Sequence, residues 1–280
     1  MLYFLFMGVQ KQNTSISTLK DIKRFYHFTN LINIPTYMFV SAEYNLNVLP
    51  ITISGVWEYY ADIFNTIKQA STVKDAAVTF TNAMETLFSL NEKHNGKKMG
   101  SYTRLLKGWL FDSNSVEGAV MKGWVESRFG ITPFFHKEII TDVDCEAYYG
   151  FMVEKMDSRH NKNLIFHQLD LLYTYTQCIL ETFYRKHLPK ITLYRGVNDL
   201  SEHLVVKEYD KTRICIEQNS LVSFTSDQEI ASQFGDYILT SEIPYTKIVF
   251  FSEVLPNLSF CGEKEYLVLG GRYDTNVNYY

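Results

Sequence analysis

Through the first two-thirds of the chain, apolar residues recur at the spacing of an amphipathic helix. The clearest stripe is Val73, Ala76, Ala77, Phe80, Met84, Leu87 and Phe88, which predicts a helix there. Another is predicted over Gly55–Ala70, with Val56, Tyr59, Tyr60, Ile63, Phe64 and Ile67 on one face. A longer one covers Asn163–His187 along Leu164, Gln168, Leu171, Leu172, Tyr175, Ile179 and Phe183, and Pro189 stops it. Asn95–Lys98 reads as a loop between helical segments.

Beyond Pro189 the pattern changes to short β-branched and aromatic runs bounded by Asn, Asp, Pro and Gly, which predict strands. These are Ile191–Arg195, Leu204–Tyr209, Ser220–Thr225, Tyr237–Ile243, Lys247–Phe251 and Tyr266–Leu269. One helix interrupts them at Asp227–Phe234, with Ser226 or Asp227 as its N-cap. The expected fold class is therefore α+β: an N-terminal helical region, 1–188, packed on a C-terminal β-rich region, 189–280. No low-complexity linker separates the two, so they are expected to form one compact unit.

Composition narrows the classes. With 280 residues, 46% hydrophobic and 21% charged, the chain is long enough for a buried core and too apolar for a disordered segment. A net charge of -4 and a pI of about 6.0 disfavour a dedicated nucleic-acid binder. The apolar run Leu2–Met7 is far shorter than the roughly 20 residues of a membrane span, and it lacks a basic leader. A buried first strand, or an upstream start-site artefact, accounts for it, and neither a membrane nor a secretory signal is expected. The cysteines, Cys145, Cys178, Cys215 and Cys261, are never closer than 33 residues, so they form no CxxC motif and read as reduced cysteines of a cytoplasmic protein.

Several chemistries lack their central residues. There is no phosphate-binding GxxxxGK[ST] loop, no GxGxxG after a strand, no HExxH and no GxSxG. His160 and His167, seven apart, read as surface or core residues and not as a metal pair, and no metal is expected.

Three segments of the β-rich half carry candidate chemistry. In Leu193-Tyr194-Arg195-Gly196 a strand ends on a guanidinium that can grip a diphosphate, and Gly196 permits close backbone approach. In Ser223-Phe224-Thr225-Ser226 the hydroxyls of Ser223 and Thr225 share one strand face and can hold a carboxylate or a sugar. In Gly262-Glu263-Lys264-Glu265 two carboxylates precede an apolar strand, an arrangement suited to cleavage through an oxocarbenium ion. Taken singly, these are more simply a salt bridge, a helix cap and a solvated turn.

Taken together, Arg195, Ser223 after 28 residues and Glu265 after 42 more resemble the Arg–Ser–Glu class of ADP-ribosyltransferases. Ser-Phe-Thr stands where that class has Ser-Thr-Ser. Longer blocks are similar to the dinitrogenase reductase ADP-ribosyltransferase (DraT) family. They are Gly108–Asn114, Glu117–Gly130, Gln168–Tyr173, Asn219–Ser226, Phe234–Leu239 and Gly262–Gly271. Tyr26–Thr29 has the His-x-Thr pattern of the other transferase class, but His27 lies in the wrong half to join the triad.

The resemblance implies an arginine-specific protein mono-ADP-ribosyltransferase that consumes NAD as substrate and needs no metal. Arg195 would bind the phosphates, with Gly196 beside it. Ser223, supported by Thr225, would hold the nicotinamide ribose or orient the carboxylate. Glu265 would stabilise positive charge on the ribose. Glu263 would bind the acceptor arginine and take its proton. Asp112, Asn114, Glu126 and Arg128 read as capping or ion-paired residues more readily than as ligand contacts. The implied partner is dinitrogenase reductase. The alternatives are an injected effector acting on a host metabolic enzyme in the host cytosol, and an NAD glycohydrolase.

Overall fold

A computed structural model describes residues 26–29, 31–91, 93–94, 97–98, 100–156, 162–184, 189–200, 203–256 and 264–279. The helical part holds α1 (Thr36–Phe39), α2 (Ala42–Leu46), α3 (Val56–Tyr59), α4 (Ala61–Lys68), α5 (Val73–Phe88), α6 (Tyr102–Phe111), α7 (Val116–Phe129), α8 (Glu146–Lys155) and α9 (Lys162–Ile179). A π-helical turn, Leu180–Tyr184, follows α9. Two small ladders are interspersed, β1 (Lys93–His94) with β2 (Lys97–Lys98) and β3 (Phe135–His136) with β4 (Glu138–Ile139).

The helix starts follow local chemistry. Thr72, Ser101 and Ser115 each accept a backbone N–H from the first turn of α5, α6 and α7. The stripe Val73–Phe88 coincides with α5, and its Ala76, Ala77, Phe80 and Met84 are fully buried. The segment Gly55–Ala70 is not one helix. It breaks at Tyr60, whose backbone leaves the helical region while its hydroxyl meets His167 Nε2 at 2.6 Å. That side-chain tie takes precedence over continued helix, and Tyr59 is turned out to solvent.

The remaining strands are β5 (Lys190–Val197), β6 (Leu204–Glu208), β7 (Arg213–Thr225), β8 (Tyr237–Pro244), β9 (Ile248–Phe251) and β10 (Glu265–Tyr279). Between β7 and β8 lie a short helix, α10 (Gln228–Ala231), capped by Asp227, and a 3₁₀ turn, Ser232–Phe234. The six strands pair antiparallel in the order β6-β7-β5-β8-β10-β9, and β10 also pairs with β7. That extra ladder closes β7, β5, β8 and β10 into a ring.

Helices and sheet share one hydrophobic cluster. Phe80, Trp124 and Leu172 from the helices join Leu193, Ile216 and Leu267 from the strands. Buried hydroxyls on α9 tie it to the region around β9: Tyr173 donates to the Thr246 carbonyl at 2.8 Å and Tyr175 to that of Val254 at 2.9 Å. Among the described residues no helix is long and apolar enough to cross a membrane. The apolar run Leu2–Met7 and the Asn95-Gly96 tip lie outside the described residues.

Candidate active site

The ring closure decides where the candidate residues fall. Thr225, at the end of β7, pairs with Tyr194 of β5 on one side and with Glu265 of β10 on the other. The three segments, distant in sequence, therefore end at one crossing. Ser223 pairs with Leu267, two residues beyond Glu265, so Ser223 and Glu265 are diagonal neighbours on the same face.

The side chains meet accordingly. The Ser223 hydroxyl donates to Glu265 Oε1 at 2.5 Å. Arg195 Nη1 donates to the Ser223 carbonyl at 2.7 Å. Thr225 Oγ1 accepts the backbone N–H of Asp227 at 3.2 Å, which links the site to the start of α10. Glu265 is 7% exposed, a buried carboxylate at the head of a strand and not a solvated turn. Burial lowers the Arg195 pKa from its ordinary value, and the charge of Glu265 opposes that shift. Nearby His203 is pushed down to about 4 by burial and by the charge of Arg195, against the pull of Asp199, so its imidazole is neutral.

Gly196 has a packing reason to be glycine. A Cβ there would stand 2.0 Å from the Ala231 carbonyl oxygen and 3.1 Å from the Gly235 nitrogen. The backbone that approaches Gly196 is thus the protein's own α10 and 3₁₀ turn, pressed behind Arg195. Lys264, with a left-handed φ of 46°, sets Nζ 2.9 Å from Asp227 Oδ2 and anchors the start of β10 to α10. Glu263 lies outside the described residues.

Two groups that periodicity and spacing did not single out adjoin this cluster. Trp109 of α6 donates from Nε1 to Ser223 Oγ at 2.9 Å. Lys122 of α7 lies over the same indole, Nζ 5.9 Å from a ring centroid. Trp109 stands in the family-like block Gly108–Asn114, but no spacing rule connects a helix residue to a serine 114 positions later.

The four polar residues of the helical half are internally engaged. Asp112 ends α6 and accepts from the Asn114 backbone at 2.8 Å. Asn114 Oδ1 accepts from Lys122 at 3.0 Å. Arg128 forks onto Asp170 at 2.8 and 2.9 Å. Glu126 is held by Tyr148 at 2.6 Å and by the Lys155 ammonium. His27 sits 3.4 Å from Glu126 at the rim of a cavity of about 440 Å³, lined also by Phe28, Tyr148, Lys155 and Phe166. Arg195, Ser223 and Glu265 do not line it. Among the described residues no three His, Cys, Asp or Glu side chains gather as a metal site would require.

Two comparisons bear on this arrangement. Residues 29–277 match the family described as dinitrogenase reductase ADP-ribosyltransferase. The chain is 41% identical over 263 residues to the NAD(+)–dinitrogen-reductase ADP-D-ribosyltransferase of Rhodospirillum rubrum, covering 90% of this chain and 95% of that protein. No solved structure matches.

Proposed function

The chain belongs to the dinitrogenase reductase ADP-ribosyltransferase family and is an NAD-dependent transferase, and on that premise we propose that it moves ADP-ribose onto an arginine of dinitrogenase reductase at the Arg195–Ser223–Glu265 crossing. The observation that carries this reading is the buried Glu265 carboxylate held at 2.5 Å by Ser223, with Arg195 bonded to the same serine.

The residues suit a dinucleotide. The Arg195 Nε is enclosed and finds no hydrogen-bond partner among the described residues, so the protein alone does not fully satisfy this guanidinium, and a guanidinium is the group suited to gripping a diphosphate. NAD supplies the ADP-ribosyl group, and positive charge grows on the ribose as nicotinamide departs. Glu265 is a fixed negative charge for that moment, oriented beforehand by Ser223. Thr225 supports the strand end that carries both. Gly196 lets the turn behind Arg195 close and so holds the guanidinium at the crossing.

Acceptor choice is assigned to Glu263, on sequence alone. A guanidinium is a poor nucleophile while protonated, and a second carboxylate two residues before Glu265 can bind it in a fork and draw off its proton. The test uses labelled NAD with and without purified dinitrogenase reductase, followed by mass spectrometry of the modified residue. Label on an arginine supports the reading. Nicotinamide release with no protein label would make the chain a glycohydrolase instead. Glu263→Gln is expected to spare nicotinamide release and to suppress labelling; equal loss of both would remove Glu263 from acceptor binding.

A further inference from the structure

The indole of Trp109 belongs to the helical part of the chain, yet it reaches the serine at the centre of the strand crossing. We infer that Trp109 is a positioning residue: its N–H fixes the hydrogen-bond polarity of Ser223, so that the serine proton is committed to Glu265. The inference rests on the catalytic assignment proposed above.

The argument is one of donor and acceptor inventory. An indole nitrogen is a donor only, whereas a serine hydroxyl has one proton and can point it several ways. Trp109 Nε1 approaches Ser223 Oγ at 2.9 Å and must be giving its proton to it. The hydroxyl proton is then directed to the acceptor on its other side, Glu265 Oε1 at 2.5 Å. Arg195 fixes the main chain of the same residue at 2.7 Å. One hydroxyl orientation remains, and with it one orientation of the carboxylate.

The ring itself is well held. Trp109 is 3% exposed, and the first turn of α6 is fastened to α9 through the Tyr102 N–H and Gln168 Oε1 at 2.9 Å. The Lys122 ammonium stands 5.9 Å from the indole ring centroid. It is itself fixed by Asn114 Oδ1 at 3.0 Å, the Phe135 carbonyl at 3.1 Å and His136 Nδ1 at 3.3 Å.

The test separates the N–H from the bulk of the ring. Trp109→Phe, and protein carrying 3-benzothienylalanine at position 109, which keeps the indole shape with sulfur in place of N–H, are each assayed alone and combined with Ser223→Ala. The readout is steady-state NAD cleavage. Both changes are expected to lower kcat roughly threefold to tenfold, the effect of one lost hydrogen bond. KM for NAD should stay within about twofold, since the indole acts on the serine and not on bound nucleotide. Neither change should cost anything further in the Ser223→Ala background. Trp57→Phe, on α3 and stacked on Phe64, is the control and should keep the wild-type rate. Full activity of the benzothienyl protein, or losses that add to that of Ser223→Ala, would overturn the inference and leave Trp109 as packing. If Ser223→Ala and Glu265→Gln both retain full activity, the catalytic assignment falls and takes this role with it.

Discussion

Glu126 and Glu265 are each 7% exposed, yet they sit in different company. Glu126, beside the cavity of the helical part, accepts from the Tyr148 hydroxyl and lies directly on the Lys155 ammonium. Glu265, at the strand crossing, accepts from a serine hydroxyl that is itself oriented by an indole, with Arg195 bonded to the serine's main chain. A direct ion pair neutralises a buried acid and makes it a structural fixture. Glu265 takes its orientation from a hydroxyl and has the Arg195 charge beside it, the arrangement proposed above to meet charge developing on the ribose. The chemistry proposed above falls at the crossing and not in the cavity beside Glu126, and the contrast can be broken by experiment.

The largest expected effect separates the two acids. Glu265→Gln should lower the rate of NAD cleavage by about 10²–10³, comparable to removing a preorganised transition-state partner. Glu126→Gln should leave that rate within about threefold while lowering unfolding stability by about 2 kcal/mol, because the partly buried Lys155 loses the counter-charge of the buried Glu126. Urea denaturation and a nicotinamide-release assay on both proteins decide it. Equal activity losses would erase the distinction.

The next effect contrasts two buried lysines of the same regions. Lys122 and Lys247 are both pushed down to about 7 by burial. Lys122 has three acceptors around its ammonium. Lys247 has no hydrogen-bond partner among the described residues and lies among the rings of Phe39, Tyr44 and Tyr273 at 4.5 to 5.3 Å. Lys247→Met should therefore raise stability by about 1–2 kcal/mol, whereas Lys122→Met should lower it by about 2 kcal/mol by stranding its acceptors. Thermal denaturation of both variants tests the opposite signs.

The pH dependence follows from the same lysines. The unfolded lysines, near their ordinary value, bind protons that the folded ones release above about 7. Stability should therefore rise from about pH 7 to pH 9, by up to about 1.4 kcal/mol per pH unit for each lysine, and Lys247→Met should flatten the rise. Above that range the buried tyrosines Tyr102 and Tyr175, whose pKa values burial raises, work in the opposite direction. On the acid side His136 and His203 are pushed down to about 4, so their contribution is present above about 6.5 and is lost as pH falls toward 4. A urea midpoint that does not move between pH 7 and 9 would contradict this account of the lysines.

Legibility in the sequence tracked the physics of each element. The α5 stripe is plain because one face is fully buried and the other is wet. β10 reads as only Tyr266–Leu269, since Gly270-Gly271 resembles a turn and Arg272, Asp274 and Asn276 resemble a polar loop. It runs instead to Tyr279, the glycines making a bulge where Gly271 takes a φ of 115° and Val40 packs against it. β7 extends back to Arg213 for a similar reason. Its buried Glu217 and half-buried Asn219 find partners from elsewhere, Tyr26 on the first and the Phe134 and Phe135 main chain on the second. Arg195, Ser223 and Glu265 are readable as a spaced set because each sits at a strand end. Trp109 is not, because its partner is chosen by how a helix packs on a sheet.

The most direct measurement is the position of NAD itself. Glu265→Gln should bind the dinucleotide and cleave it slowly enough for a crystal structure of the complex. The account predicts phosphate density against Arg195 and the nicotinamide ribose beside Ser223 and residue 265. Density in the cavity beside Glu126 and His27, with the strand crossing empty, would contradict it.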